Sequence, residues 1–247
     1  VSDFEKFFQN FIKNNRLIVE AANKFMVDNG HAIPVSEVME KIRSKDSLKD
    51  LKDDIYKNYL LSDIKEKFVR YKSLVEELAT HQGKSVALEI VGDKILVEYA
   101  KFSNFINASV HIFRNIVDHG IETQDERVEK AKPQTSIIKV EFRYNRDSFT
   151  LTINDDGAGI DPEIIRNKIL EKKIKSQEEL KGISDSDIID MVFLPGFSTK
   201  TEVSDISGRG VGLDAVRSEV KKIGGVISVS SVIDEGTKFV IKLPVLK

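Results

Sequence analysis

The stretch SIIKVEFRYNRDSFTLTINDDGAGID, Ser136 to Asp161, decides how the chain folds. Apolar and polar residues alternate on both sides of the polar turn Asn145-Arg146-Asp147. A period of two places one set of side chains on a single face, so the pattern predicts two half-buried strands, Ser136 to Tyr144 and Ser148 to Asn154. The second strand runs into Asp155-Asp156-Gly157-Ala158-Gly159, and Asp161-Pro162 then supplies an N-cap and a first helical residue.

Upstream, Val86 to Val91 and Ile95 to Val97 are short β-branched runs separated by Gly92-Asp93. A helix is expected from about Ser103 to His119, followed by a polar loop to Thr135. Downstream come helices near 161 to 173 and 184 to 192, a glycine-bearing stretch from Pro195 to Gly212, and a helix to about Ile223. Two closing strands follow, Val226 to Val232 and Lys238 to Leu243. Strands interleaved with helices predict an α+β class, one mixed sheet covered by helices. The first 80 residues differ in character. Phe4, Phe8, Phe11, Ile12, Ile18, Val19, Ala22, Phe25 and Met26 recur at helical spacing, Asp28-Asn29-Gly30 stops that helix, and helical patterns resume to Lys45, over Asp46 to Leu60 and over Ser62 to Thr80. The organisation expected is a helical region, 1–61, and a mixed domain, 62–247.

A chain of 247 residues can bury its own core without metals or disulfides. It has no cysteine, which excludes disulfide frameworks, thiolate zinc sites and thiol nucleophiles and makes the cytoplasm the expected location. Lys and Arg number 38 against 40 acidic residues, so no global field favours nucleic acid or an anionic membrane. No apolar run is long enough to span a bilayer. The first residue is Val rather than Met, so a longer parent chain is expected.

Three elements carry chemistry. In SVHIFRNIVDHGIE, residues 109–122, His111, Asn115 and either Asp118 or His119 share a helix face. An asparagine pointing into a site can offer its carbonyl oxygen to a hard cation such as Mg²⁺. Alone, the segment reads equally as a helix end decorated with polar residues. The second element is the turn at 154–161, where a carboxylate at a strand end accepts hydrogen bonds only and so can select an exocyclic amine. The glycines there let the backbone approach a planar ligand. The third is Ser207-Gly208-Arg209-Gly210-Val211-Gly212-Leu213-Asp214, which leads into a helix. Glycines before a helix N-terminus expose N–H groups toward negative charge, which makes a phosphate cradle. It matches neither the dinucleotide fingerprint nor a Walker loop. Gly196-Phe197-Ser198-Thr199-Lys200 adds hydroxyls and a cation suited to a mobile lid.

In their order and spacing these elements resemble the ATP-binding domain of the GHKL superfamily, and within it the CheA-type chemotaxis histidine kinases. The segments that carry the resemblance are HxxRNxxDHGIE at 111–122, DDGxGID at 155–161, PGFSTK at 195–200, SGRGVGLD at 207–214 and EGTK at 235–238. The likeness runs from about Ser62 to Leu243. It implies a Bergerat-type two-layer α/β sandwich, helices on one face of the sheet, with ATP and Mg²⁺ as cofactors. Asn115 would ligate Mg²⁺ at the triphosphate, and Asp155 would accept from the adenine amino group, supported through water by Thr237. Gly157 and Gly159 would floor the adenine. Residues Phe193 to Ser207 would form the lid, with Ser198, Thr199 and Lys200 near the phosphates and Gly208, Arg209, Gly210, Val211, Gly212 and Leu213 lining them. Arg114, Asp118 and His119 would complete the phosphate side. His111 stands where hydrolytic relatives such as gyrases and Hsp90-type chaperones carry a glutamate that activates water, which favours transfer over hydrolysis.

The resemblance further implies phosphoryl transfer to a histidine on a phosphotransfer or upstream acceptor domain, a response regulator served indirectly, and a homodimer. GHAIPV around His31 and THQGKS around His81 do not resemble the surroundings of a family acceptor, so the acceptor is expected elsewhere. Residues 1–61 do not match the family's dimerisation hairpin and serve either as a dimer interface or as a packing element. Two further readings stand beside the kinase: an ATP-gated conformational ATPase module and a non-catalytic docking scaffold.

Overall fold

Phe68, Phe105, Phe113 and Phe142 meet in one cluster, and around it the chain is built. The computed structural model describes residues 61–197 and 212–245. The helices expected over 1–60 lie outside those residues. The described residues fall into a small unit, 61–62 with 97–100, and a large one, 63–96 with 101–245, which carries the sheet.

In chain order the elements are β1 (Leu61–Asp63), α1 (Ile64–Phe68), α2 (Tyr71–His81), β2 (Ser85–Gly92), β3 (Leu96–Glu98), α3 (Tyr99–Ala108) and α4 (Val110–Asn115). A π-helical turn (Ile116–Gly120) follows, then α5 (Gln124–Glu129), β4 (Thr135–Asn145), β5 (Ser148–Asp155), α6 (Pro162–Glu171), α7 (Gln177–Leu180) and α8 (Asp185–Asp190). A short 3-10 turn (Met191–Phe193) leads toward α9 (Leu213–Lys222), and β6 (Val226–Val232) and β7 (Gly236–Pro244) close the fold. β1 and β3 pair in a two-stranded ribbon; the main sheet has the order β2-β4-β5-β7-β6. It is mixed, because β2 runs parallel to β4 and every other pairing is antiparallel.

The period-two reading of the hairpin holds residue by residue. Ile138, Val140 and Phe142 of β4, Phe149, Leu151 and Ile153 of β5, and Phe239, Ile241 and Leu243 of β7 are all buried, while Lys139, Arg143, Lys238 and Lys242 between them are exposed. Helices cover the apolar face, giving the expected two layers. Phe142 meets Phe68 edge-on at 5.3 Å, Phe68 approaches Phe113 at 6.4 Å, and Phe113 stacks on Tyr71 at 4.6 Å. Such pairs add to the area they bury, because the ring edge is positive and the ring face negative.

Four expectations are corrected. The helix predicted from Ser62 begins as strand β1 and breaks at Val69–Arg70, where Asp63 caps α1 by accepting from Lys65 N at 3.1 Å. The helix predicted from Ser103 begins earlier, at Tyr99, is interrupted at Ser109, whose hydroxyl bonds back to Phe105 O at 2.9 Å, and ends in the π turn. The polar loop before Thr135 contains α5, and α7 was not foreseen. Both short helices start on reciprocal capping boxes, Thr123 with Glu126 and Ser176 with Glu179.

Phe142 is fully buried. Phe142→Ala is expected to lower unfolding free energy by about 3–5 kcal/mol, a cost of lost transfer plus residual cavity, readable by urea denaturation.

Candidate functional site

The end of β5 and the end of the α4 helix converge on a cavity of about 330 Å³, within the range of small-ligand sites. Its polar wall includes Asn115, His119, Asp155, Asp161 and Thr237. Its apolar wall includes Ile116, Ile160, Ile165, Val192, Phe239 and Leu213, and Lys168 and Phe197 stand at the side nearest α6.

The π turn decides which polar residue of the helix faces this space. Ile121 N bonds Ile116 O at 2.8 Å, a span of five residues, so the turn holds one residue more than an α turn. His119 thereby joins Asn115 on the cavity wall. Asp118 turns away and accepts from Gln82 Nε2 at 2.7 Å, while Lys84 Nζ donates to Val117 O at 2.6 Å. Of the two residues the helix pattern offered, the structure places His119 at the cavity.

Asp155 is almost completely buried, yet only one of its oxygens is used. Oδ1 accepts from Gly157 N at 3.0 Å and Thr237 N at 3.3 Å. Oδ2 is buried with no hydrogen-bond partner among the described residues. Burial raises the carboxyl pKa to about 6; the two backbone donors oppose that rise, and Asp156 and Glu122 add to it. The residue is therefore an acceptor held in register by its neighbours on the cavity wall, with its second oxygen unmatched.

Glycine is required beside it by close approach. A Cβ on Gly157 would stand 2.1 Å from Gly120 O, and one on Gly159, whose φ is +73°, would stand 2.2 Å from Val232 O. The loop after β5 is thus gripped between the π turn and the β6–β7 hairpin. Ala158 N donates to Gly120 O at 2.7 Å and Asp234 N to Ala158 O at 2.8 Å. Thr237 keeps its side chain at the wall, its hydroxyl 2.9 Å from that of Ser231, which also accepts from Ile160 N at 2.8 Å.

Asn115, His119, Asp155, Gly159, Leu213 and Thr237 are brought together. His111, Arg114, Asp118 and Gly157 do not line the cavity. His111 is half-buried one turn before Asn115; burial, then the Arg114 guanidinium, lowers its pKa against the pull of Asp214. Gly212 precedes α9 and donates its N–H to Asp214 Oδ1 at 3.0 Å. Ser198, Thr199, Lys200, Gly208, Arg209, Gly210 and Val211 lie outside the described residues. Lys168 is a wall residue that no sequence motif marks, and Phe197, expected in the lid, joins it there. Lys168 Nζ sits 5.7 Å from the Phe197 ring centre, and Lys172 Nζ donates to the carbonyls of Gly196 and Phe197, both at 2.9 Å. The i, i+4 spacing of Lys168 and Lys172 at the end of α6 is the signal the sequence offers.

Residues 106–247 match the family model described as histidine kinase-, DNA gyrase B-, and HSP90-like ATPase. The chain belongs to this family. Within this ATPase family its similarity runs to chemotaxis kinases. It is 36% identical over 209 residues to chemotaxis protein CheA of Halobacterium salinarum, covering 85% of this chain and 31% of that one. It is 37% identical over 195 residues to CheA of Borreliella burgdorferi, covering 79% and 22%. To the sensor histidine kinase CheAY of Helicobacter pylori it is 34% identical over 177 residues, covering 72% and 22%. The chain thus spans a third or less of the length of these relatives. Among solved structures, a mycobacterial sensor histidine kinase, MprB, matches at a TM-score of 0.44 and 18% identity, over 74% of this chain and 97% of that one.

The raised pKa of Asp155 has a definite sign. The folded protein holds this proton more tightly than the unfolded chain, so the contribution favours folding below about 3.8 and is lost as pH rises through about 6. Asp155→Asn does not titrate. Its stability relative to the wild type is therefore expected to rise between about pH 4 and pH 7, by up to about 3 kcal/mol at 1.36 kcal/mol per unit, in urea unfolding series. A pH-independent difference would contradict the burial argument.

Proposed function

We propose that this chain is the ATP-binding catalytic core of a CheA-like histidine kinase, transferring the γ-phosphoryl group of Mg·ATP to a histidine on a separate domain or partner. One observation carries the reading: the buried, unpartnered Oδ2 of Asp155 on the wall of a largely apolar cavity. An acceptor of this kind is left unsatisfied, at a cost of about 1–3 kcal/mol, until a donor arrives. The exocyclic amino group of adenine is such a donor, and the apolar residues around it suit a planar base. Thr237, beside Asp155, supports the same base edge through water.

The phosphates would extend toward the helix end that carries Asn115 and His119. Among the described residues no cluster of three acidic or histidine side chains could hold a metal unaided. A single carboxamide oxygen fits Mg²⁺, which keeps waters and takes its other oxygens from substrate phosphates. When bound, Mg²⁺ would neutralise charge on the triphosphate. His111 stands where hydrolytic relatives carry a glutamate that activates water, and it does not line the cavity, which supports transfer over hydrolysis. Ser198, Thr199, Lys200, Arg209 and the glycines of 208–212 are assigned to the phosphate side on their motifs. Partners would be a histidine-phosphotransfer or acceptor domain, a response regulator downstream, and a second copy of the chain. No helix among the described residues is long and apolar enough to cross a membrane.

Incubation with labelled Mg·ATP, with and without candidate histidine-phosphotransfer domains, tests the proposal. Acid-labile label on the acceptor is expected; free phosphate as the sole product would support an ATPase instead. At about a hundred times its Kd, ATP should stabilise the wild type by about 2.7 kcal/mol, and Asn115→Ala and Asp155→Ala should abolish the shift in melting temperature. Stabilisation retained in either variant would move the site elsewhere.

Acid should also weaken binding. Protonation turns Oδ2 into a donor facing a donor, so with a pKa of about 6 the Kd for ATP is expected to be about tenfold higher at pH 5 than at pH 7.5 by calorimetry. A flat profile would separate Asp155 from base recognition.

A further inference from the structure

Outside the cavity lining, next to Asp155 in the chain, lies a cluster of charges around Asp156. Arg127, on α5, is among the most deeply buried side chains of the described residues, with 1% of its surface exposed. Arginine is seldom buried this far unless its donors are matched. Here they are: Nε donates to Pro133 O at 2.6 Å, Nη1 to Glu122 Oε2 and to Asp156 O, both at 3.2 Å, and Nη2 to Asp156 Oδ2 at 2.9 Å. Lys132 joins the same group, donating to Glu122 Oε1 at 2.8 Å, Asp156 O at 3.1 Å and Gly157 O at 2.7 Å. The other oxygen of Asp156 accepts from the Ser136 hydroxyl and from Ile137 N at 3.1 Å.

Asp155 and Asp156 are adjacent at the end of a strand, so their side chains leave on opposite sides. One faces the cavity; the other is the handle by which the backbone is held. Resting on the ATP reading above, we propose that Arg127 is a positioning residue for base recognition, which fixes from outside the cavity the segment that carries Asp155. The planar guanidinium reaches a peptide carbonyl on its own segment, the buried Glu122 after the π turn, and both the carbonyl and the carboxylate of Asp156. It therefore ties the two walls of the site to each other through a single rigid group. A lysine ammonium keeps the charge but cannot present donors in that fork. With Lys at 127, Asp156 keeps its bonds from Ser136 and Ile137 N but loses the fork that ties it to Glu122, so the aim of the Asp155 carboxylate loosens while the fold retains a cation in the same place.

A disordered site and a general loss of stability are told apart by the base. Hypoxanthine carries a carbonyl oxygen where adenine carries the amino group, so Mg·ITP reports binding without the Asp155 contact. Calorimetric titration of the wild type with Mg·ATP and Mg·ITP is expected to show preference for ATP. Arg127→Lys should weaken ATP by about tenfold, roughly one charge-assisted hydrogen bond, and ITP by less than about twofold, so that the preference shrinks. An unchanged ATP affinity, or equal weakening of both nucleotides, overturns the proposal. Should Arg127→Lys show no cooperative melting transition, Asp156→Asn decides by the same criteria, since it keeps the shape of the handle and removes the charge that Arg127 grips. Wild-type protein that binds neither nucleotide would overturn the ATP reading itself, a result distinct from ATP binding that the variants leave intact.

Discussion

Everything at the site depends on two peptide carbonyls that glycine alone can approach. The oxygens of Gly120 and Val232 press on the loop after β5 from either side, each at a distance that any side chain would block. That grip has a geometric consequence for Asp155. With the loop fixed, one carboxylate oxygen is taken by Gly157 N and Thr237 N, and the other is left unmatched in a residue of the cavity wall. The polar character of the site arises from subtraction: neighbours satisfy one oxygen and exclude water from the second. The cost of a buried, half-satisfied carboxylate is visible in its raised pKa. Stability is surrendered locally, and the large aromatic core beneath the sheet offsets the loss.

The sheet and the position of Asp155 were legible in the sequence because both follow from short-range rules. Alternation in FTLTIN places Phe149, Leu151 and Ile153 on one face, and the same alternation makes Asp155, two residues on, the next to point inward. Thr237 is reached only through the pairing of β5 with β7, a contact across 82 residues, and its assignment rested on family resemblance. The π turn was invisible for a different reason. Nothing in IVDHG breaks helical periodicity, and the extra residue is accommodated by Gln82 and Lys84, which precede the turn by more than thirty positions. A strict count of 3.6 residues per turn left Asp118 and His119 equivalent; tertiary contacts separate them.

Helix α5 shows the opposite failure. Thr123-Gln-Asp-Glu126 is a capping box in plain sight, but the segment around it is so polar that it read as loop. Hydrophobic periodicity cannot find a helix whose buried residue is an arginine. Arg127 takes the inward position that an apolar residue would ordinarily hold, and its burial is sustained by four acceptors outside the helix. Binary patterning is blind to such a helix, because the pattern assumes that charge means solvent.

The π turn also makes the helix a sensitive ruler. An α-helical Ile116–Gly120 would contain the same atoms and nearly the same hydrogen bonds, yet shortening that loop of backbone by one residue would rotate every later side chain by about a quarter of a circle. Gain of a single residue between Asn115 and Asp118 would move Asp118 to the place of His119 and present a carboxylate to the cavity, and loss of one would withdraw the imidazole to the place of Asp118. Length, more than composition, is the coordinate along which this segment is intolerant of change, and drift in the lineage should show itself there as substitution and seldom as insertion or deletion.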